Sequence, residues 1–227
     1  MTRELFPNSP NKGEQARRGL LLAALEKFGQ RGYDNASVRE IADAAGQNVG
    51  AIAYYFGNKE SLYAEVLKGI GGYLRSILGE YANELRGQLA SGNLDPDGAR
   101  TALKRIFRTM LGEQIDGDFY KVRSVMMREQ ASPSESFDLL YRETIRPLHE
   151  LLTRILAVVT GEDPQSPMAI VRAHALFGQV IVFTLARETI RHRLEVPKLG
   201  PEHAAMIGDV IDEHIDSICR GFTLPQP

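Results

Sequence analysis

Side chains able to bind nucleic acid are concentrated between residues 37 and 59. An arginine can form paired hydrogen bonds with a phosphate or with the edge of a guanine. Hydroxyl groups suit phosphate oxygens, a glycine lets the backbone come close, and an alanine methyl can meet the methyl group of thymine. The candidate DNA-binding residues are Ser37, Arg39, Gln47, Asn48, Val49, Gly50, Ala51, Tyr54, Tyr55 and Lys59.

Two short helices would position these side chains. Ser37 can cap the first helix, with Glu40 three residues on, as a capping box requires. Apolar residues then recur at helical spacing as far as Gly46, a residue type that commonly ends a helix in a left-handed turn. Asn48 can cap the second helix, which in a helix-turn-helix motif enters the major groove of DNA. The spacing alone also fits an ordinary helical hairpin.

The apolar spacing of the second helix predicts which of its sides faces the protein. Side chains three or four residues apart share one face of a helix. On this basis the inward residues are Val49, Ile52, Ala53 and Phe56, and the outward ones are Ala51, Tyr54 and Tyr55.

Enzymatic chemistry has little support in the sequence. The five histidines lie outside the first half of the chain and lack the close spacing of metal ligands. His203 and His214 are about three helical turns apart, too far to share an ion unaided. Cys219 has no catalytic pattern beside it. We therefore expect no enzyme activity, no metal and no cofactor.

The amino-acid composition narrows the classes of protein to which the chain can belong. The chain has 227 residues, a formal net charge of -2 and 43% hydrophobic residues, which is ordinary for a globular protein. DNA binding would therefore depend on a local arrangement of charge. The single cysteine excludes an intrachain disulfide. No uninterrupted apolar run approaches about 20 residues, and the N-terminus lacks a signal-peptide core. The sequence predicts a cytoplasmic protein without a membrane partner.

Helical periodicity and loop signals predict an all-α fold of about nine helices. Gly69, Gly71 and Gly72 interrupt the fourth helix, where either a hinge or close helix packing is expected. Pro147 should kink or break the seventh helix. The predicted helices cover about 12–30, 37–45, 48–56, 59–89, 96–112, 118–131, 134–160, 167–193 and 201–221.

Residues 37–62 resemble the signature of TetR-family repressors. The resemblance rests on Ser-Val-Arg-x-Ile-Ala-x-x-Ala-Gly (37–46), an aromatic stretch ending in Tyr-Phe, and Asn-Lys-x-x-Leu (58–62). It extends upstream to residue 16, so it covers roughly the first quarter of the chain. Residues 45–48 and 54–57 are also similar to the CecR-type subgroup. The resemblance implies DNA contacts by Arg39, Gly50, Ala51, Tyr54, Tyr55 and Lys59.

Three positions depart from that family pattern. The family often has threonine, tyrosine and histidine where this chain has Ala51, Ala53 and Tyr55. The loss of a polar group at Ala51 removes one potential base contact. Part of the sequence specificity is therefore expected to come from DNA shape.

The resemblance also implies a division of labour along the chain. Residues 1–57 would form a three-helix DNA-binding domain. Its first eleven residues are polar and contain Pro7 and Pro10, and this composition, not the resemblance, predicts a mobile arm over residues 1–11. Residues 58–227 would form a larger helical bundle that binds a ligand and dimerises. A reader of a palindromic site needs a two-fold partner. Helices 167–193 and 201–221 are the candidates for that homodimer contact, although they could instead close the monomer core.

A small-molecule site is expected among the later helices. Aromatic and methionine side chains lie there beside charged and imidazole groups, as in a mostly apolar pocket with a few polar contacts. The same set also fits an ordinary core. The candidate pocket residues are Phe107, Met110, Tyr120, Arg123, Met127, Glu129, Tyr141, His174 and Phe177.

The sequence thus predicts a ligand-responsive transcriptional regulator. It would bind double-stranded operator DNA as a dimer and act most simply as a repressor released by a small-molecule effector. The alternative is a helical protein–protein adaptor that has lost specific DNA binding. Salt distinguishes the two, because DNA affinity falls steeply as ionic strength rises.

Overall fold

The computed structural model describes residues 4–115 and 119–223, and these residues form an all-helical protein. The predicted all-α fold class is therefore confirmed. The helices are α1 (Lys12–Asn35), α2 (Val38–Ala44), α3 (Val49–Phe56), α4 (Lys59–Ser91), α5 (Pro96–Ile115), α6 (Phe119–Ala131), α7 (Phe137–Leu140), a π-helical segment (Tyr141–Ile145), α8 (Arg146–Thr160), α9 (Pro167–Leu185), α10 (Arg187–Arg193) and α11 (Pro201–Thr223).

The chain forms two compact units, and neither is continuous in sequence. The first, called unit 1, contains Met1–Ser76 and Asp118–Ile145. The second, called unit 2, contains Ile77–Gly117 and Arg146–Pro227. Helix α6 thus packs with the N-terminal helices, mainly against α1. The functional division at residues 57 and 58 is a separate question from this division by contacts, and it stays a prediction.

The apolar stripe of α1 forms the centre of unit 1. Leu20, Ala24, Leu25 and Phe28 are buried against residues of α2, α3, α4 and α6. The N-terminal segment joins this core, because Phe6 is only 6% exposed. Arg18 also donates a hydrogen bond to the Phe6 carbonyl at 2.8 Å. The expectation of a mobile arm over residues 1–11 is therefore wrong at Phe6, whose burial holds the segment in place.

The glycines of α4 serve close packing. A Cβ on Gly69 would overlap the ring of Phe6, and one on Gly71 would overlap the Thr144 hydroxyl. Gly72 has open space around it. The backbone of α4 departs from helical geometry further along, at Gly79, with φ 47° and ψ −127°. The close-packing alternative therefore explains Gly69 and Gly71, and the irregularity of α4 is not where the sequence placed a hinge.

The irregularity expected at Pro147 is present as the π-helical segment. Proline has no N–H group and cannot bond to the carbonyl four residues before it, which belongs to Glu143. That carbonyl accepts a hydrogen bond from the Arg75 guanidinium at 2.6 Å instead. A lost helical bond is thus replaced by a contact between Arg75, in the part of α4 that belongs to unit 1, and the π-helical segment of the same unit.

Unit 2 is a bundle of α5, α8, α9 and α11, together with the end of α4. Ile106, Phe107, Ile155 and Val180 are among its most buried side chains. Ion pairs join α5 to α11, including Lys104 with Asp216 and Arg108 with Asp209 and Asp212. The single helix predicted over 167–193 is divided into α9 and α10 at Ala186, which has φ −100° and ψ 29°.

Candidate DNA-binding interface

Helices α2 and α3 are each started by a side-chain cap. The Ser37 hydroxyl accepts the Glu40 N–H at 3.1 Å, and the Glu40 carboxylate accepts the Ser37 N–H at 3.3 Å. The Asn48 side chain accepts the Ala51 N–H at 3.0 Å. Between the two helices Gly46 has φ 64°, the left-handed conformation that glycine adopts without strain. These contacts set where α2 and α3 begin, and Gly46 lets the chain turn between them.

The outer face of α3 differs from the one that periodicity predicted. Tyr54 is 82% exposed and Val49 is 41% exposed. Ala53 is exposed as well, whereas Tyr55 is half-buried and packs against the core of unit 1. The inward placement of Val49 and Ala53 and the outward placement of Tyr55 are therefore wrong. The prediction failed because α3 has only eight residues and contacts the rest of unit 1 through a narrow stripe of buried side chains.

That narrow stripe consists of Ile52 and Phe56, the two buried residues of α3. Ala51 is half-buried beside them. Gly50 is exposed in the first turn and leaves the backbone open to close approach. Sequence reasoning missed Ala53 as a member of the outer face. The family often has tyrosine at this position, and that polar residue type was the signal for an exposed site.

The polar groups at the start of α2 remain open to a ligand. The Ser37 oxygen accepts a backbone hydrogen bond, which leaves its O–H free to donate. Arg39 is exposed, and none of the described residues forms an ion pair with it. Arg31 pairs with Glu40 at 2.5 Å and offsets the one acidic side chain in the first turn of α2. Gln47 in the turn is half-buried, so only part of its amide is accessible.

Lys59 is engaged within the protein. Its ammonium donates to the Asp34 carbonyl at 3.2 Å and lies 4.6 Å from the centroid of the Tyr33 ring. This position ties the start of α4 to the end of α1. A phosphate contact by Lys59 stays a prediction, and it would have to share the ammonium with these two groups.

The nine candidate pocket residues do not lie in one unit. Phe107, Met110, His174 and Phe177 belong to unit 2, where Phe107 is buried and Met110 packs against the core. The other five belong to unit 1. Tyr120, Met127 and Tyr141 are exposed there. Arg123 has at least one interaction partner within the protein. For all nine residues, contact with a ligand stays a prediction. The five in unit 1 are Tyr120, Arg123, Met127, Glu129 and Tyr141.

Glu129 is an internal residue of unit 1. It is 2% exposed and accepts a hydrogen bond from the Tyr63 hydroxyl at 2.5 Å. Its second oxygen accepts from the Ser134 hydroxyl at 3.1 Å and from the Ser134 N–H at 3.3 Å. Burial is the main cause that raises the pKa of Tyr63, followed by this hydrogen bond to Glu129. Both carboxyl oxygens are thus already used by the protein.

The neighbouring Arg128 joins α6 to the end of α1. Its guanidinium donates to the carbonyls of Gly29 and Gln30 at 2.8 and 2.5 Å. Gly32 interrupts the helical geometry of α1, with φ 80° and ψ 169°, so carbonyls just before it lack helical partners and attract a cation. Together with the hydrogen bond between Glu129 and Tyr63, this makes α6 a structural part of the unit that holds α2 and α3.

Helix α9 carries a large exposed apolar face. Its 19 residues make it the one helix of the described chain that is long and apolar enough to cross a membrane. This corrects the sequence-based statement that nothing of that length occurs, which rested on uninterrupted runs. Arg172, His174 and Gln179 interrupt the apolar residues of α9. The exposed side chains are Met168, Ile170, Val171, Val182 and Leu185.

A capped two-helix motif with an exposed second helix defines the class of helix-turn-helix DNA-binding domains. Comparison with known proteins agrees. Residues 20–66 match the family model for bacterial regulatory proteins of the tetR family. Residues 99–222 match the C-terminal domain of the HTH-type transcriptional dual regulator CecR. The chain therefore belongs to the TetR family of transcriptional regulators, with a C-terminal domain of the CecR type.

Individual relatives support the same assignment. The chain is 36% identical to the HTH-type transcriptional dual regulator CecR of Shigella flexneri over 93% of its own length and 95% of that protein. The repressor KstR2 of Rhodococcus jostii is 38% identical, over 33% of this chain and 36% of that protein. A solved structure from Pseudomonas aeruginosa PAO1 has a TM-score of 0.63 at 22% identity, covering 94% of this chain and 96% of the other. The hemolysin II regulator HlyIIR has a TM-score of 0.56 at 22% identity, with coverage of 94% and 100%.

Proposed function

We propose that this regulator binds a palindromic operator as a homodimer, with α3 of each protomer in the major groove, and that a small-molecule effector releases it. The observation that carries the proposal is the exposed face of α3, which follows the capped starts of α2 and α3. A regulator of this kind would work in the cytoplasm, where the DNA is, and the role we propose is regulatory and not enzymatic.

Base contacts in this proposal come from the first two turns of α3. Val49 and Ala53 are exposed and apolar, so they suit the methyl groups of thymines. Few long polar side chains are available there, and Asn48 is occupied as a cap. Readout therefore combines a small number of base contacts with the sequence-dependent shape of the groove.

Phosphate contacts would come from groups on both sides of α3. The Tyr54 hydroxyl is available, since the Tyr54 side chain is 82% exposed. The Ser37 O–H and the first N–H groups of α2 can hold another phosphate. Arg39 can pair with a phosphate or with a guanine edge, and the two roles predict different behaviour.

The dimer would form through an exposed seam on α9. Apolar and small residues recur there at alternating spacings of three and four, the pattern that lets two helices pack along their length. Ala175 and Gly178 lie in its middle and allow close approach. Met206 and Val210 of α11 are exposed as well and would extend the contact. The seam residues are Met168, Val171, Ala175, Gly178, Val182 and Leu185.

Effector control would act by a population shift. A ligand that binds unit 2 better when the two α3 helices are wrongly spaced lowers DNA affinity by its differential binding energy. The core of unit 2 offers Phe107, Met110 and Phe177 as apolar lining, with His174 as a polar contact. A helical adaptor without DNA binding is the alternative, and it predicts no salt-sensitive binding to any DNA.

Fluorescence anisotropy on labelled DNA from upstream of the protein's own gene tests the proposal. Specific binding should exceed binding to scrambled DNA and weaken steeply with salt. Arg39→Gln should weaken binding to all sequences and reduce the salt slope by about 1 if Arg39 contacts a phosphate. If Arg39 reads a guanine, the loss appears at one base pair, at about 1–3 kcal/mol. Absence of salt-sensitive binding to operator libraries would favour the adaptor.

Sedimentation equilibrium tests the seam on α9. Ala175→Glu places a charge in the middle of the proposed contact and should convert the dimer to a monomer. Ala90→Glu is the matched control, because Ala90 is an exposed alanine near the end of α4. A dimer that survives Ala175→Glu would contradict the assignment of this face.

A further inference from the structure

Two imidazole rings face each other between α8 and α9 in unit 2. The ring centroids of His149 and His174 are 5.3 Å apart, with an angle of 31° between the planes. Phe177 lies against the first of these rings, edge to face, at 4.9 Å. His149 is in the first turn of α8, and His174 is in the second turn of α9. The pair is formed by tertiary packing, since 25 residues separate the two positions in the chain.

The separation of the rings suits two ligands of one metal ion. A nitrogen of imidazole binds a first-row metal at about 2.1 Å, so the ion lies about 3.2 Å from the ring centroid. Two such rings at a tetrahedral angle have centroids about 5.2 Å apart, and at a right angle about 4.5 Å. The rings are therefore already at the separation that a shared ion requires, and rotation about the side-chain torsions can aim the nitrogens.

The ring nitrogens are available for such a bond. Within the described residues neither imidazole ring forms a hydrogen bond or an ion pair, and the one hydrogen bond to His149 is accepted by its backbone carbonyl. His174 is exposed and His149 is half-buried, so the pair opens to solvent on one side.

We propose that His149 and His174 together bind one divalent transition-metal ion, of the nickel, copper or zinc class. Imidazole is a preferred ligand of these ions, whereas Mg²⁺ and Ca²⁺ prefer oxygen. Within the described residues no group of three or more histidine, cysteine or acidic side chains could hold an ion. Two protein ligands therefore leave the other positions to water. The ion would bridge α8 to α9 and stabilise their packing.

Isothermal titration of the full-length protein without an affinity tag tests the site, with NiCl₂ and CuCl₂ as the probes. One equivalent per chain should bind, and His174→Gln should reduce the affinity at least tenfold. The double variant His149→Gln/His174→Gln should lose saturable binding. His192→Gln is the matched control, because His192 is an exposed histidine on α10 and should bind as the parent does.

Thermal unfolding supplies a second readout. An ion that binds only the folded state raises Tm with its concentration. The same concentration of Ni²⁺ should raise Tm equally in the parent and in His192→Gln, should raise it less in His174→Gln, and should leave the double variant unchanged. His174 is exposed, so this variant is expected to fold even if a change at buried His149 does not. Equal titration curves for the parent and His174→Gln, or no saturable binding in the parent, would overturn the proposal. Neither experiment uses DNA, so failure of the proposed DNA binding has no bearing on either result.

Discussion

Replacing Tyr63 by phenylalanine should destabilise unit 1 through one buried hydrogen bond. Tyr63 and Glu129 are each 2% exposed, and the phenol donates to the carboxyl oxygen at 2.5 Å, within the range for a hydroxyl and an ionised carboxylate. Ser134 serves only the other oxygen of Glu129. The variant leaves one oxygen without a donor away from water. Hydrogen bonds to charged groups contribute about 1.5–3 kcal/mol, so we expect a loss of about 2–3 kcal/mol.

Urea unfolding, followed by circular dichroism at 222 nm, measures that loss. Tyr120→Phe is the matched control, because it makes the same chemical change on an exposed residue of α6. Its effect should lie within about 0.5 kcal/mol of zero. Tyr63→Phe is predicted to shift the midpoint without changing the slope. A shift no larger than that of Tyr120→Phe would show that the buried hydrogen bond has little net value and would refute the reasoning.

The same hydrogen bond has a consequence at high pH. The phenol of an unfolded tyrosine ionises near pH 10, while burial and Glu129 raise the pKa of Tyr63 in the folded protein. Below about pH 10 both states are protonated and the contribution of Tyr63 is complete. Above it the unfolded state loses its proton first, so stability falls as pH rises, by up to about 1.4 kcal/mol per pH unit. Tyr63→Phe should show a correspondingly shallower alkaline decline; an unchanged decline would contradict the assignment.

Three further changes test other parts of the fold by urea unfolding. Gly69→Ala should expel the ring of Phe6 and lower the free energy of unfolding by about 1–3 kcal/mol. Gly72→Ala, on an open helix face, should raise it by about 0.5–1 kcal/mol. Equal effects of the two changes would contradict the packing role of Gly69. Gly79→Ala should cost about 1–2 kcal/mol because φ is 47° there, and a gain would refute the strain. Arg108→Ala should cost less than about 1 kcal/mol per exposed ion pair, less still in 0.5 M salt, and a larger salt-independent loss would show a packing role.

The helix-turn-helix motif could be predicted almost completely from local sequence. A helix cap joins residues three apart, so the capping roles of Ser37, Glu40 and Asn48 can be predicted from their spacing in the sequence. The turn at Gly46 could be predicted in the same way, because glycine readily adopts the left-handed conformation found there. The TetR-family resemblance rested on the same short segment, and the family match confirms it.

Side-chain orientation within that motif could not be predicted as well. Periodicity identifies a face of a helix but not how wide the contact beneath it is. In α3 the contact consists of Ile52 and Phe56, and this leaves Val49 and Ala53 exposed. The half-burial of Tyr55 depends on the surface that α1 and its flanking residues present to it. Sequence reasoning about one helix has no access to that surface.

The glycines of α4 illustrate the same limit at longer range. A run of glycines is compatible with a bend and with close approach, because both require the absence of a Cβ. The choice depends on what lies opposite, and Phe6 and Thr144 come from distant parts of the chain. The sequence could name the two alternatives but not decide between them.

By itself the sequence determined the all-helical class, the helix caps, the irregularity at Pro147 and the regulator family, because each depends on residues close together in the chain. Only the tertiary structure decided that α6 belongs with the N-terminal helices, that Glu129 is bonded to Tyr63, and that His149 lies against His174. These contacts join residues 25 or more positions apart. Packing selects them from many apolar faces of similar hydrophobicity, and the shape of both partners is needed to know which faces meet.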